Sequence, residues 1–108
     1  MRLFFYGTLL DPAVLSRRGG FVPRRPGIPA TLRGWQRVTL KGTRYPTLRP
    51  GKCVTGVLHD IGSAVLGRLT AYEGPRYHLM RVVVATPSGK SAAWTWIASA
   101  ATRRPWEG

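Results

Sequence analysis

Four carboxylates stand against 17 basic residues in this 108-residue chain, so each acid can be weighed in turn. Asp11, followed by Pro12, has the form of a helix N-cap with proline at the first helical position. Asp60 closes a β-prone run at a natural turn position, and Glu107 lies in the C-terminal tail. Glu73, in "LTAYEGPRY", is different. It falls where Gly74-Pro75 must end a helix, and a carboxylate there opposes the helix dipole at a cost of several tenths to ~1 kcal/mol. Such a carboxylate is either compensated by an ion pair, with Arg68 or Arg76 near in sequence, or kept for proton transfer. The residues by themselves leave both open.

A second candidate lies at the other end of the chain, in "FFYGTLLDP", residues 4–12. An apolar run stops at Gly7 just ahead of the helix start at Asp11-Pro12. A strand–turn–helix junction of this kind exposes unsatisfied backbone N–H groups and suits a small anionic group such as a substrate carboxylate. The simpler alternative is that Gly7 only lets the chain turn.

Other chemistries find little support. Two histidines, His59 and His78, with the single Cys53 do not make a standard zinc site, and neighbours His59 and Asp60 on a strand point to opposite faces. No metal site is expected. Neither a phosphate-binding Gly-x-x-x-x-Gly-Lys loop nor a Gly-x-Gly-x-x-Gly fingerprint is present, and no Ser or Cys sits in a nucleophile-elbow context.

The elements that must position these residues follow from periodicity and punctuation. Residues 2–6 predict a buried strand, and residues 12–18 a short helix ended by Gly19-Gly20. Residues 19–29, rich in Pro and Gly, predict a loop in which Phe21, Val22 and Ile28 pack down. "ATLRGWQRVTL" predicts a strand broken near Gly34, "KGTRYPTLRPGK" a turn-rich excursion, and "CVTGVLHDI" a second strong strand. Ser63 is expected to cap a helix to about Tyr72, with Val65, Leu66, Leu69 and Tyr72 as its apolar stripe. "YHLMRVVVAT" and "SAAWTWIAS" predict two strands joined by a tight hairpin at "PSGK". Residues 100–108 read as a loose tail of a single domain spanning residues 1–108. The predicted class is α+β, a small mixed β-barrel of about five to six strands flanked by two short helices.

Composition sets the context. One cysteine allows no internal disulfide and points to a reducing compartment, the cytoplasm; no stretch reads as a signal peptide or approaches the ~18 apolar residues of a membrane span. The net charge of +13 attracts polyanions. Yet the basic residues, 14 of them arginine, are scattered along the chain rather than gathered on one element with stacking aromatics. Non-specific polyanion binding is expected; specific nucleic-acid recognition is the weaker alternative.

In order and spacing, the motifs resemble the gamma-glutamyl cyclotransferase family. "FFYGTLL" is similar to its N-terminal Tyr-Gly-Ser-Leu motif, with Thr8 in place of serine. "RYPTLRPG" resembles its Tyr-Pro segment, and "VTGVLHDI" its Val-x-Gly-x-Leu/Val-Tyr strand, with His59 at the usual tyrosine. "LTAYEGPRYHLMRVVV" resembles its Leu-Asp-x-Tyr-Glu-Gly…Tyr stretch, with Thr70 at the aspartate and Leu79 where arginine is common. The resemblance implies a cofactor-independent enzyme that releases 5-oxoproline and an amine from a small γ-glutamyl compound. Glu73 would be the general acid and base, and Tyr6, Gly7, Thr8, Leu9 and Tyr77 would bind the substrate. A non-catalytic member that uses the same pocket for a ligand or partner is the alternative.

Overall fold

The computed structural model describes residues 1–20 and 27–98, and the backbone of 101–105. Its strands are β1 (Arg2–Phe5), β2 (Ile28–Leu40), β3 (Pro46–Asp60), β4 (Tyr77–Thr86), β5 (Gly89–Ala98) and β6 (Ala101–Pro105). A 3-10 turn (Thr8–Leu10) and helix α1 (Pro12–Gly19) follow β1, and helix α2 (Ser63–Glu73) joins β3 to β4. The strand order β3-β1-β5-β4-β2 closes into a ring because β2 also pairs with β3, while β6 adds to β2 outside the ring. All pairings are antiparallel except β1 with β5, which makes the barrel mixed.

The apolar run in β1 has a direct cause. Phe4 and Tyr6 belong to the cluster that also holds Leu32, Leu58 and Val84 of the strand ring. Leu3 and Phe5 alternate with them and pack against Leu15 and Leu69 of the two helices. A strand buried on both faces reads as continuous hydrophobicity rather than alternation. Closure also requires β3 to approach β1 closely, and it does so at Gly56. A Cβ on Gly56 would stand 2.2 Å from the Phe5 carbonyl oxygen.

Helix α1 begins as its sequence predicts. The Asp11 carboxylate accepts from the Ala13 N–H at 2.9 Å, and Gly20 ends the helix in the left-handed region at φ 62°. Asp11→Ala is expected to cost about 1 kcal/mol in urea denaturation, with Asp11→Asn restoring most of it. Helix α2 departs from expectation at its start, where Gly62 is the cap residue and Ser63 is already helical, with no side-chain cap. Its apolar stripe holds: Leu69 is fully buried, and Val65, Leu66 and Tyr72 pack beside it.

Three boundaries move. The expected excursion over residues 41–52 is shorter, because β3 already starts at Pro46. Its prolines are tolerated there: Pro46 opens the strand, and Pro50 faces Trp35 where the register slips at the Gly34 bulge. Residues 28–29 belong to β2 rather than to a loop, with Ile28 opposite Leu58 and 40% exposed instead of packed down. Phe21 and Val22 lie outside the described residues. The tail is not loose over 101–105. Beyond Thr31, which faces Ala85 of β4, the second half of β2 offers an open edge, and β6 takes it through Leu40–Ala101 and Val38–Pro105.

The β4–β5 hairpin turns through Pro87-Ser88, with Thr86 facing Gly89. No helix of the described residues is long and apolar enough to cross a membrane.

Candidate active site

β1 delivers the chain to one end of the barrel, and the 3-10 turn folds back across it. The turn is held by Leu10 N–H donating to the Gly7 carbonyl at 3.0 Å and Asp11 N–H donating to that of Thr8 at 3.2 Å. In a 3-10 turn the leading amides have no acceptor within the turn, so the Thr8 and Leu9 N–H groups are its unsatisfied donors. Gly7 itself has a negative φ of −127°. Its glycine is demanded by contact, since a Cβ would meet Pro46 Cγ at 2.7 Å. The first residue of β3 thus seats the turn.

Beside the turn opens a cavity of about 160 Å³. All six residues singled out by the sequence (Tyr6, Gly7, Thr8, Leu9, Glu73 and Tyr77) line it, from three different segments of the chain. Phe4, Phe5, Tyr45, Pro46, Tyr72, Thr95 and Trp96 complete its walls. Tyr45 and Pro46 belong to the Tyr-Pro segment. Tyr72 read only as part of a helix stripe. Thr95 and Trp96 carry no local signal, because a wall position on a strand looks like any inward-facing residue. Leu79, Arg76 and Arg81 do not line the cavity. Leu79 instead faces Trp96 across the β4–β5 ladder and joins the helix-side cluster.

The polar groups of the cavity divide into two kinds. Tyr6 donates its hydroxyl to the Trp96 carbonyl at 2.5 Å, and Tyr77 donates to the Pro46 carbonyl at 2.6 Å. Burial raises both phenols further from ionisation, and the nearby Glu73 charge adds to the rise. These tyrosines therefore stay protonated and fix the walls. Thr8 Oγ1 and the Tyr72 hydroxyl share a hydrogen bond of 3.1 Å, tying the turn to α2. The buried Thr95 hydroxyl donates to the Phe4 carbonyl at 2.9 Å.

Glu73 is the other kind. As the last residue of α2 it projects among the aromatic walls, and burial alone pushes its pKa from 4.5 up to about 7. Neither arginine offered as a partner pairs with it. Arg68 donates to the Gly19 carbonyl at 3.4 Å, and Arg76 to the Lys41 carbonyl at 2.8 Å. A carboxyl that is ionised about half the time near neutral pH can both accept and return a proton. Among the described residues no cluster of three His, Cys, Asp or Glu is placed to hold a metal ion. His59 packs its ring against Phe5 at 5.7 Å, on the helix side of β1, and burial lowers its pKa.

The sequence pattern of the family described as "Gamma-glutamyl cyclotransferase, AIG2-like" matches residues 3–107. The chain belongs to this family. Among curated members it is similar to AIG2-like protein A of Arabidopsis thaliana, 38% identical over 84 residues, covering 74% of this chain and 49% of that one. Protein AIG2 C of the same plant is 34% identical over 89 residues, covering 76% and 50%. The chain spans about half the length of the curated relatives it matches. An Arabidopsis thaliana protein solved in solution superposes with a TM-score of 0.78 at 28% identity, covering 99% of this chain and 74% of that one. A solved gamma-glutamyl cyclotransferase superposes at 0.77 with 20% identity, covering 94% and 68%, a likeness of fold. The family's small mixed barrel with two helices is the fold described above.

Proposed function

We propose that this protein is a cyclotransferase-type enzyme that converts a small γ-glutamyl compound into 5-oxoproline and a free amine. One observation carries the reading: a carboxyl without an ion-pair partner among the described residues, titrating at about 7, in a cavity shared with the Tyr6–Leu9 turn. The substrate's γ-glutamyl head enters the cavity with its α-carboxylate toward the amides of the turn. The α-amino nitrogen then attacks the γ-carbonyl carbon and closes a five-membered ring. Glu73 takes the proton that this nitrogen loses. As the tetrahedral centre collapses, the original amide C–N bond breaks and Glu73 returns the proton to the departing nitrogen. The step as written needs no metal or organic cofactor.

Both reacting groups belong to one molecule, so holding the head group folded supplies much of the rate. Tyr6 and Tyr77 support that positioning through their bonds to strand backbone. The amides of the turn are also the natural donors for the oxygen that gains charge. An exposed, unpaired Cys53 fits a reducing compartment, the cytoplasm.

The test is a screen for 5-oxoproline release across γ-glutamyl amines, amino acids and peptides. With the first substrate found, kcat/KM should fall about tenfold per pH unit below pH 7, because protonated Glu73 cannot accept the amine proton. Activity that persists undiminished at pH 5 would remove Glu73 as the base.

A further inference from the structure

Helix α2 ends on Glu73, and the final turn that carries it is thinly anchored. Leu69 is fully buried, but Thr70 and Ala71 are exposed, and no basic side chain stands in the last turn to offset its dipole. Terminal helical turns fray unless something packs them down. Tyr72, the residue before Glu73, is gripped twice. Its hydroxyl shares the 3.1 Å hydrogen bond with Thr8 Oγ1, and its ring carries the Arg18 guanidinium 5.1 Å from the centroid. Both grips come from the segment that leaves β1: Thr8 opens the 3-10 turn, and Arg18 lies in the last turn of α1.

We infer that Tyr72 is a positioning residue, a latch whose hydrogen bond to Thr8 holds the end of α2 against the Tyr6–Leu9 turn and keeps the Glu73 carboxyl sheltered from water. The effect on turnover rests on the cyclotransferase reading above. The latch itself is a property of the fold and is measurable without a substrate.

The geometry makes the coupling direct. Successive residues of a helix point about 100° apart, so Tyr72 reaches the turn while Glu73 projects among the aromatic walls, and one peptide unit joins them. The turn is itself seated on β3 through the close contact of Gly7 with Pro46. Tyr72 passes that fixity to a helix end sixty-four residues away in sequence. The Arg18 stack steadies the ring from its face and leaves the hydroxyl to Thr8. The titratable groups around Glu73 are phenols, Tyr6 of β1, Tyr77 of β4, Tyr45 and Tyr72, and the cavity walls hold no charged side chain besides Glu73. Burial is the sole cause of the rise in its pKa. Neither hydroxyl of the latch therefore acts on the carboxyl directly; the latch acts by keeping the last turn closed over it.

The chain has two glutamates, Glu73 and Glu107, so carboxyl-carbon NMR of protein labelled at glutamate gives two signals, and Glu73→Gln assigns them. In wild type the Glu73 signal should titrate at about 7. Tyr72→Phe and Thr8→Val each keep the side chain's shape and remove one hydroxyl of the pair. In both, the midpoint should fall by about one unit toward the ordinary carboxylate value, because a loosened turn admits water. The Thr8→Val/Tyr72→Phe double variant should fall no further than either single one, since one hydrogen bond breaks only once. Thr8→Ser, which keeps a hydroxyl, should hold the wild-type midpoint. No substrate is present, so a substrate contact made by Thr8 cannot produce these shifts. Midpoints that stay or rise in either single variant, or shifts that add in the double one, overturn the inference. So does a wild-type Glu73 that titrates near 4.5, since the latch would then shelter nothing. With a substrate from the screen, both single variants should lose about tenfold in kcat with KM little changed, and the acid limb of the pH profile should move with the NMR midpoint. If no γ-glutamyl compound is turned over, the shifted midpoints still uphold the latch while the catalytic reading fails.

Discussion

Replacing Glu73 by glutamine is expected to cut 5-oxoproline release about 10²–10⁴-fold while making the folded protein more stable at pH 8. Glutamine keeps the shape of the side chain and cannot exchange a proton, so binding of the γ-glutamyl head should survive while ring closure does not. The stability change has the opposite sign to most substitutions of a partly buried residue, and its pH dependence follows from linkage. The folded pKa is raised from 4.5 to about 7, so below pH 4.5 both folded and unfolded chains hold the proton and the carboxyl costs nothing. Between 4.5 and 7 the unfolded chain ionises while the folded one keeps its proton, and stability falls as pH rises. Above 7 the full cost is present, at most about 3 kcal/mol at ~1.4 kcal/mol per pKa unit and less to the extent that water reaches the carboxyl. Urea denaturation of both proteins from pH 4 to 8 should show curves that coincide in acid and separate above neutrality, with the variant higher. A variant that retains turnover, or one that loses stability at pH 8, contradicts the assignment.

Gly56→Ala is expected to be the most damaging single methyl addition among the described strand glycines, lowering stability by about 3 kcal/mol or more. The new Cβ would lie 2.2 Å from the Phe5 carbonyl oxygen and 2.9 Å from the Phe4 ring, and the nearer atom is backbone. Relief requires β1 and β3 to part, which breaks the Phe4–Leu58 and Phe5–Val57 pairings. In a domain of this length about 1 kcal/mol moves Tm by roughly 4–8 °C, so a fall of more than about 12 °C is the expected reading. Activity should fall with it, because β1 runs straight into the Tyr6–Leu9 turn. Gly62→Ala is the matched control, since a Cβ there meets nothing within 4 Å and φ is an ordinary −85°. Equal, small shifts in both variants would show that the barrel can open at β1–β3 without penalty.

Much of this molecule is written locally. The limits of α1 follow from Asp11-Pro12 and Gly19-Gly20, the end of α2 from Gly74-Pro75, and the β4–β5 hairpin from two β-prone runs around Pro87-Ser88. Capping, proline geometry and side-chain periodicity act over a few residues, so sequence alone expresses them. Glu73 was legible in the same way, as a carboxylate at the wrong end of a helix, and so was Gly7, as a glycine cutting an apolar strand.

The tertiary structure decided what depends on distant neighbours. Residues 46–52 and 101–105 become strands only because β2 is long enough to pair with both, each along part of its length. Thr95, Trp96, Tyr45 and Tyr72 become walls only when the ring closes around the Tyr6–Leu9 turn. Gly7 proved to be required by Pro46 rather than by a left-handed backbone. The absence of an ion pair on Glu73 among the described residues, on which the proposed proton-transfer role leans, is likewise a tertiary matter. Arg68 and Arg76 are spent on the carbonyls of Gly19 and Lys41, and walls brought from both ends of the chain bury the carboxyl enough to raise its pKa. A side chain's type is local, but its protonation state is set by the solvent and charges around it, and those exist only once the chain has folded.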